Sequence, residues 1–414
     1  MRVLGGYPYW SYGIEQVARV CAERGIGLAV LAGDDQPDPE LASFSTLPTE
    51  ACHRLWQYLV HGGIANAVEF LRYAASLTGY GGAWLEPRPL LRAGLYWPGR
   101  EQATLADIRS AWPEPARPVA AMVFYRALVQ SGNLKAIDAL IAALTVEGLN
   151  PLPVFASSLK DAVAAATIER LFTETRPAIV LNGTGFAVST PSAGATVPVF
   201  PGCDGVVLQV IFSGSDEAQW RDGSQGLIAR DIAMNVALPE VDGRVISRAV
   251  SFKGAARHDR ATETTIVNYE PVADRITFVA RLAAAWVALK TTPAAERRIA
   301  LVLANYPNRD GRLGNGVGLD TPASAVVILS ALLAAGYAVA DLPADGNALV
   351  ERLSAGPTND WRRLGERTIR ETLPLGEYRA FFAGLPSDVQ ARVSERWGAP
   401  EDDPFFVAGM PAGG

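Results

Sequence analysis

The stretch Val119–Phe155, VAAMVFYRALVQSGNLKAIDALIAALTVEGLNPLPVF, decides the fold. Val119 to Phe124 reads as a strand, Tyr125 to Gly132 as a loop, and Asn133 as the cap of a helix through Val146. Gly148 stops that helix, and Pro153 to Phe155 begins the next strand. The alternation then continues. Ser158 caps a helix to about Thr173, and Ala178 to Leu181 is a third strand that enters the glycine turn Asn182-Gly183-Thr184-Gly185-Phe186. Val206 to Phe212 is another strand, followed by Ser213-Gly214-Ser215. Strands alternating with helices at this spacing predict an α/β fold of doubly wound parallel-sheet domains, here with helical insertions.

Towards the amino terminus, Val3–Leu4 is a short strand, Ile14 to Arg24 a helix closed by Gly25, and Leu28 to Leu31 a strand. The loop between places Tyr7, Tyr9, Trp10 and Tyr12 among glycines. It reads either as an aromatic plug on the sheet end or as a stacking wall for a flat ligand. Gly33 to Pro48 is an acidic, proline-bearing loop. Glu50 to Leu77 is helical, with Leu55, Tyr58, Leu59, Val68 and Leu71 at core spacing, and Gly81 to Pro118 is a connector. Beyond the central alternation, Trp220 to Thr265 mixes helical and irregular polar segments in which Arg230, Asp231, Asn235 and Asp242-Gly243-Arg244 stand out. Pro271 to Lys290 is a long helix.

Ile299 to Pro322 follows the same plan. Ile299 to Leu303 is an unbroken apolar run, as in a parallel strand covered on both faces. The loop Asn305–Asp320 is long for a strand-to-helix connection, and Thr321 caps a helix with Pro322 at its first position. Gly336 closes the helix, a strand starts at Tyr337, and Asn359 to Trp397 is amphipathic and helical. The expected divisions are 1–117, 118–296 and 297–414. The chain opens directly on a strand and ends without a cap, as a segment of a longer protein would.

Composition narrows the function. The 414 residues carry 37 Lys+Arg and 43 Asp+Glu, a net charge of −6, which argues against nucleic acid held by electrostatics. Three dispersed cysteines and an opening without a signal-peptide core predict a reducing cytoplasm. Ala323 to Ala340 is free of charge, but the breaks at Pro322 and Gly336 exclude a membrane span. The four lysines, Lys135, Lys160, Lys253 and Lys290, follow no glycine-rich phosphate loop, so no ATP site is expected. His53 and His61 stand eight residues apart, about 12 Å on a helix, too far to share a metal ion. Neither a catalytic residue nor a metal ligand is therefore assigned. What recurs is polar, glycine-bearing loops at strand ends, suited to a polycarboxylate or amide-bearing small molecule through backbone N–H groups and arginine forks. The candidate binding residues are Asn305, Arg309, Asp310, Arg312, Asn315, Asp320, Thr184 and Ser213.

Four long segments carry a resemblance. VLANYPNRDGRLGNGVGLDTPASAVVILSALLAAGY (Val302–Tyr337), Phe124–Phe155, QGLIARDIAMNVALPEVDGRVISRAVSFK (Gln225–Lys253) and Gly5–Leu41 are similar, in that family's order, to segments of the CobN-type cobaltochelatase large subunit, a relative of the magnesium chelatase H subunit. The resemblance implies part of a ligase forming nitrogen–metal bonds in cobalamin biosynthesis. Its substrates are the corrinoid hydrogenobyrinic acid a,c-diamide and Co²⁺, and its partners are an AAA+ ATPase, which holds the ATP, and a companion chelatase subunit. Family members are much longer. Their His/Glu segment, of the type HxGxHGxxEWLPGK, has no counterpart here, so this chain is expected to supply corrinoid binding or scaffold. A non-catalytic tetrapyrrole-binding protein and a chelatase for another metal are the alternatives.

Overall fold

A computed structural model describes residues 1–189, 199–254, 257–304, 312–358, 360–369 and 371–408. It forms two compact units, Met1–Lys290 and Thr291–Gly414. The strands are β1 (Arg2–Val3), β2 (Leu31–Ala32), β3 (Ala93–Trp97), β4 (Arg100–Ala103), β5 (Val119–Tyr125), β6 (Asn150–Ala156), β7 (Ile179–Asn182), β8 (Val207–Phe212), β9 (Val245–Lys253), β10 (Arg257–Asp259), β11 (Thr264–Ile266) and β12 (Tyr269–Pro271).

An eight-stranded sheet of order β12-β9-β8-β7-β5-β6-β3-β4 organises the first unit. Its five central strands, β9 to β6 in that order, pair in parallel. The edge strands β12, β3 and β4 join antiparallel. Residues 120–124 of β5 are all at most 2% exposed, because helices cover both faces. Met122 and Phe124 pack with the helices Lys135–Val146 and Ala273–Thr291. Ala121 and Val123 pack with Leu105–Ala111 and Ala162–Thr175 on the other side. Each large aliphatic side chain buried this way contributes about 1.5–3 kcal/mol. This is the doubly wound α/β arrangement read from the alternation. The sheet order reverses at β5, with β6 on one side and β7, β8 and β9 on the other. The space beyond the carboxyl ends of β5 and β7 is thus the topological switch point, where open α/β sheets take their ligands.

Several local readings need correction. The helix expected from Ser158 starts at Ala162, because Asp161 accepts the N–H groups of Val163 and Ala164 at 2.9 and 3.0 Å. Asn133 does not cap the next helix, and its side chain accepts the Tyr269 N–H at 2.9 Å instead. The single helix expected over Glu50–Leu77 divides into Thr49–His61 and Gly63–Leu77. Gly62 breaks it with φ 64°, where a Cβ would lie 2.8 Å from Gln130. The second piece rotates away from the expected face, leaving Val68 and Leu71 exposed. Residues 81–118 are more than a connector, since they hold β3 and β4 and tie the expected 1–117 region into the main sheet.

The second unit departs further. Ile299–Leu303 is not part of a strand, and Ile299, Leu301 and Val302 are exposed. Tyr337–Ala340 forms none either. Among the described residues of this unit, β pairing is limited to an isolated Gly316–Leu319 bridge. The apolar run lacks a ladder, and backbone N–H and C=O groups make a strand only when a neighbour supplies one. Among the described residues the α-helices of this unit are Thr321–Ala334, Gly346–Ala355, Leu375–Ala383 and Ser387–Trp397, the last two within the stretch expected as helical from Asn359 to Trp397. Among the described residues no helix is long and apolar enough to cross a membrane.

Candidate functional site

The carboxyl ends of β5, β7 and β8 bring together a polar cluster assembled from distant parts of the chain. β7 ends at Asn182, whose amide donates to the Thr184 carbonyl at 3.0 Å and to Gln209 Oε1 at 2.9 Å. Its Oδ1 accepts the Thr184 hydroxyl at 2.9 Å. Gln209, in β8, also donates to the Thr184 carbonyl at 3.0 Å. Arg244 closes the group, with Nη1 donating to the same carbonyl and to Gln209 Oε1, each at 3.1 Å. Its Nη2 lies 2.6 Å from Asp242, in an ion pair whose two side chains are wholly buried. Burial pushes the Asp242 carboxyl up, but hydrogen bonds from the Ser189 hydroxyl and the N–H groups of Val188 and Ser189, with the Arg244 charge, hold it below its ordinary value. Burial likewise pulls the Arg244 guanidinium down, against the raising effect of Asp242.

A second group sits at the end of β8. The Ser213 hydroxyl donates to Asp231 Oδ2 at 2.7 Å, and the Gly214 N–H reaches the same oxygen at 2.9 Å. Ser213 and Ser215 share a further hydrogen bond of 2.7 Å between their hydroxyls. Asp231 leads into the turn Ala233–Ala237, which is wound as a π-helix. Such turns recur at functional sites because the widened backbone re-aims its carbonyls. Here the Met234 carbonyl accepts the N–H of Phe186, a residue held at φ 63° with its ring half exposed. The Tyr125 hydroxyl accepts the Gly185 N–H at 3.1 Å, joining the β5 end to this loop across the switch point.

The expected binding residues fall into three groups. Thr184 and Ser213 do come to one end of the sheet, but both hydroxyls are buried and bonded within the protein, so they shape the loops from beneath. What the loops present outward is the Phe186 ring together with Ile228, Arg230 and Ile232 on the neighbouring segment. In the second unit, Asp320 caps the helix Thr321–Ala334 by accepting the Ala323 N–H at 3.0 Å, the role expected of Thr321. Arg312 is exposed, and its carbonyl accepts the Asn315 N–H at 3.1 Å. Asn305, Arg309 and Asp310 lie outside the described residues. Asp231, Asn235, Asp242 and Arg244 stand out in the sequence, whereas Tyr125 and Gln209 carry no such signal because both sit in or beside apolar strands.

The histidines are dispersed: His53 packs near Trp56, His61 accepts the Leu90 N–H at 3.4 Å, and His258 pairs with Glu263. Among the described residues no group of three or more His, Cys, Asp or Glu side chains is arranged to hold a metal ion.

The family described as CobN/Magnesium Chelatase matches residues 56–413. The chain belongs to that family. It is 50% identical over 416 residues to the aerobic cobaltochelatase subunit CobN of Sinorhizobium sp., covering 99% of this chain and 32% of that protein. The aerobic cobaltochelatase subunit CobN of Pseudomonas aeruginosa is 46% identical over 98% of the chain and 32% of its own length. The magnesium-chelatase H subunit of Rhodobacter capsulatus is 26% identical over 87% of the chain and 31% of its own length. Among solved structures, the catalytic subunit of cobaltochelatase from Mycobacterium tuberculosis aligns over 98% of this chain and 32% of its own, with 29% identity and a TM-score of 0.73. The chain therefore spans about a third of the length of the cobaltochelatase subunits it matches. The family read from the four sequence segments is the one these comparisons return, and the polar strand-end cluster lies wholly within the matched region.

Proposed function

We propose that this chain is part of the large subunit of an ATP-dependent cobaltochelatase, which inserts Co²⁺ into hydrogenobyrinic acid a,c-diamide during cobalamin biosynthesis. The single observation that carries the reading is identity of 46–50% to cobaltochelatase subunits along nearly the whole chain. Identity to a magnesium-chelatase subunit is 26%, which favours the cobalt enzyme over a chelatase for another metal. In this reading the strand-end loops contribute a wall for the corrinoid. The Phe186 ring, Ile228 and Ile232 of the first unit offer apolar surface to the macrocycle and Arg230 pairs with its carboxylates; the second unit's loop, taken by itself, offers Arg309 and Arg312 to carboxylates of the same kind. Asn305, Asp310, Asn315 and Asp320 are the remaining candidates at the second loop, and Thr184 and Ser213 support the first. The bases and ligands that exchange pyrrole protons for metal are supplied by other polypeptide, and ATP is hydrolysed on an AAA+ partner working with a companion chelatase subunit in the cytoplasm.

The test combines the chain with the corrinoid, Co²⁺, ATP and the motor subunits, with and without the remainder of a large subunit. Corrinoid binding by the chain and turnover only with the remainder are expected. Turnover with no further large-subunit polypeptide would overturn the division of labour. Unchanged corrinoid affinity after Arg230→Ala, and after joint Arg309→Ala and Arg312→Ala in a full-length subunit, would remove the arginines from the ligand site.

A further inference from the structure

The amino-terminal loop admits two readings from its sequence, a plug or a wall, and the structure divides its rings between the two sides. β1 ends at Val3, and the chain then runs through Gly5 and Gly6, both at positive φ, into a short 3₁₀ turn and the helix Ser11–Glu23. One ring, Tyr7, turns inward and stacks on Phe44 with centroids 5.4 Å apart. The others face solvent: Tyr9 is 77% exposed, Tyr12 74%, Trp10 51%, and Leu4 beside them 71%. Trp10 is fixed in place, since its ring covers Gly13 so closely that a Cβ there would sit 2.0 Å away. Three exposed aromatic side chains within four residues, one of them fixed in place, mark a binding surface more than single apolar residues scattered over an exterior do.

Its charge narrows what this surface suits. The loop packed against it, Gly33–Glu40, reads GDDQPDPE, and neither it nor Leu4–Tyr12 contains a basic residue. Gly33 lies against the Leu4 backbone, and Asp38 Oδ2 would be 3.2 Å from a Cβ on Gly6. The Tyr7 hydroxyl donates to Glu15, and Asp34, Asp35 and Glu40 are exposed. The nearby cations are bonded elsewhere, Arg2 to the Gly33 carbonyl at 2.7 Å, Arg92 to Asp161 and Arg126 to the carbonyls of Leu90 and Leu91, although the charges of Arg92 and Arg126 are felt at Asp35. Aromatic faces beside exposed carboxylates attract guanidinium groups, by stacking and by charge. The first unit already uses this combination internally, with Arg54 over Tyr73 and Trp84 at 5.2 and 4.9 Å while bonded to Glu50 and Glu86. The same charge disfavours a polycarboxylate ligand, an anionic membrane and a second copy of a chain of net charge −6.

We propose that Tyr9, Trp10 and Tyr12, with the acidic Asp34–Glu40 loop, form a docking surface for an arginine-rich segment of a partner protein. This stands independently of the corrinoid reading. The test measures fluorescence anisotropy of a labelled short peptide alternating arginine and leucine, titrated with the whole chain. The controls are the same peptide with glutamate for arginine, phosphatidylglycerol vesicles, and sedimentation velocity of the chain alone. The arginine peptide is expected to bind, more weakly as salt rises. Affinity should fall about fivefold or more in Tyr9→Ser/Tyr12→Ser and in Asp35→Asn/Glu40→Gln. These side chains project into solvent, so unchanged circular dichroism is expected, and corrinoid binding should be unaffected. Equal binding of the glutamate peptide, undiminished binding by either double variant, or vesicle binding or self-association abolished by the same substitutions would overturn the proposal.

Discussion

Val119–Phe124 and Ile299–Leu303 are apolar runs that lead into loops rich in glycine and polar residues, yet the molecule treats them differently. The first is β5, bonded to β6 and β7 on its two edges and covered by helices on both faces. The loops beyond it and its neighbours are closed by buried hydrogen bonds and the Asp242–Arg244 pair. The second carries three exposed apolar side chains and makes no ladder, and the helix that follows, Thr321–Ala334, has a single buried residue, Ala325, despite being apolar on every side. Hydrophobic pattern is therefore a condition for a strand, and a paired neighbour is what completes it. Stability in the first unit should be sensitive to single polar atoms, and the second unit's described loop should be tolerant.

The largest test of this contrast is Arg244→Leu, which leaves the Asp242 carboxylate buried without its cation. It should destabilise the first unit by about 3–5 kcal/mol in urea unfolding. A loss below about 1 kcal/mol would mean that the buried Asp242–Arg244 pair does not hold the strand-end loops in place. Gly62→Ala places a Cβ against Gln130 at positive φ and should cost about 1–3 kcal/mol, read from the same transition. In the second unit, Asp320→Ala removes the helix cap and should cost about 1 kcal/mol, measured as lost helicity on heating. Arg312→Leu, on an exposed loop, should leave stability within about 0.5 kcal/mol, and a larger loss would show that loop to be as constrained as the first.

Acid sharpens the same comparison. Because the folded Asp242 carboxyl lies below its ordinary 3.8, the unfolded chain takes up that proton first as pH falls. Its stabilising contribution is complete above the unfolded value and is lost as pH descends through the folded one. The urea midpoint of the parent should therefore converge on that of Asp242→Asn in acid, and a gap between them that stays constant from neutral pH to below 3.8 would exclude this carboxyl as the origin.

By itself the sequence determined the α/β class, the central alternation from Val119 to Phe212, and the family, because these rest on local periodicity and on long ordered stretches. It also singled out Asp231, Asn235, Asp242 and Arg244, as polar residues crowded where apolar periodicity lapses. Tertiary structure decided the rest. That Gln209 and Arg244 converge on the Thr184 carbonyl follows from strand order, which brings residues 25 and 60 positions away onto one atom. That Ile299–Leu303 forms no strand, and that three aromatic rings near the amino terminus face outward, depended likewise on which neighbours were present to cover them. Local propensity selects the element a segment favours, whereas burial and hydrogen-bond satisfaction are set by partners that no short window of sequence contains.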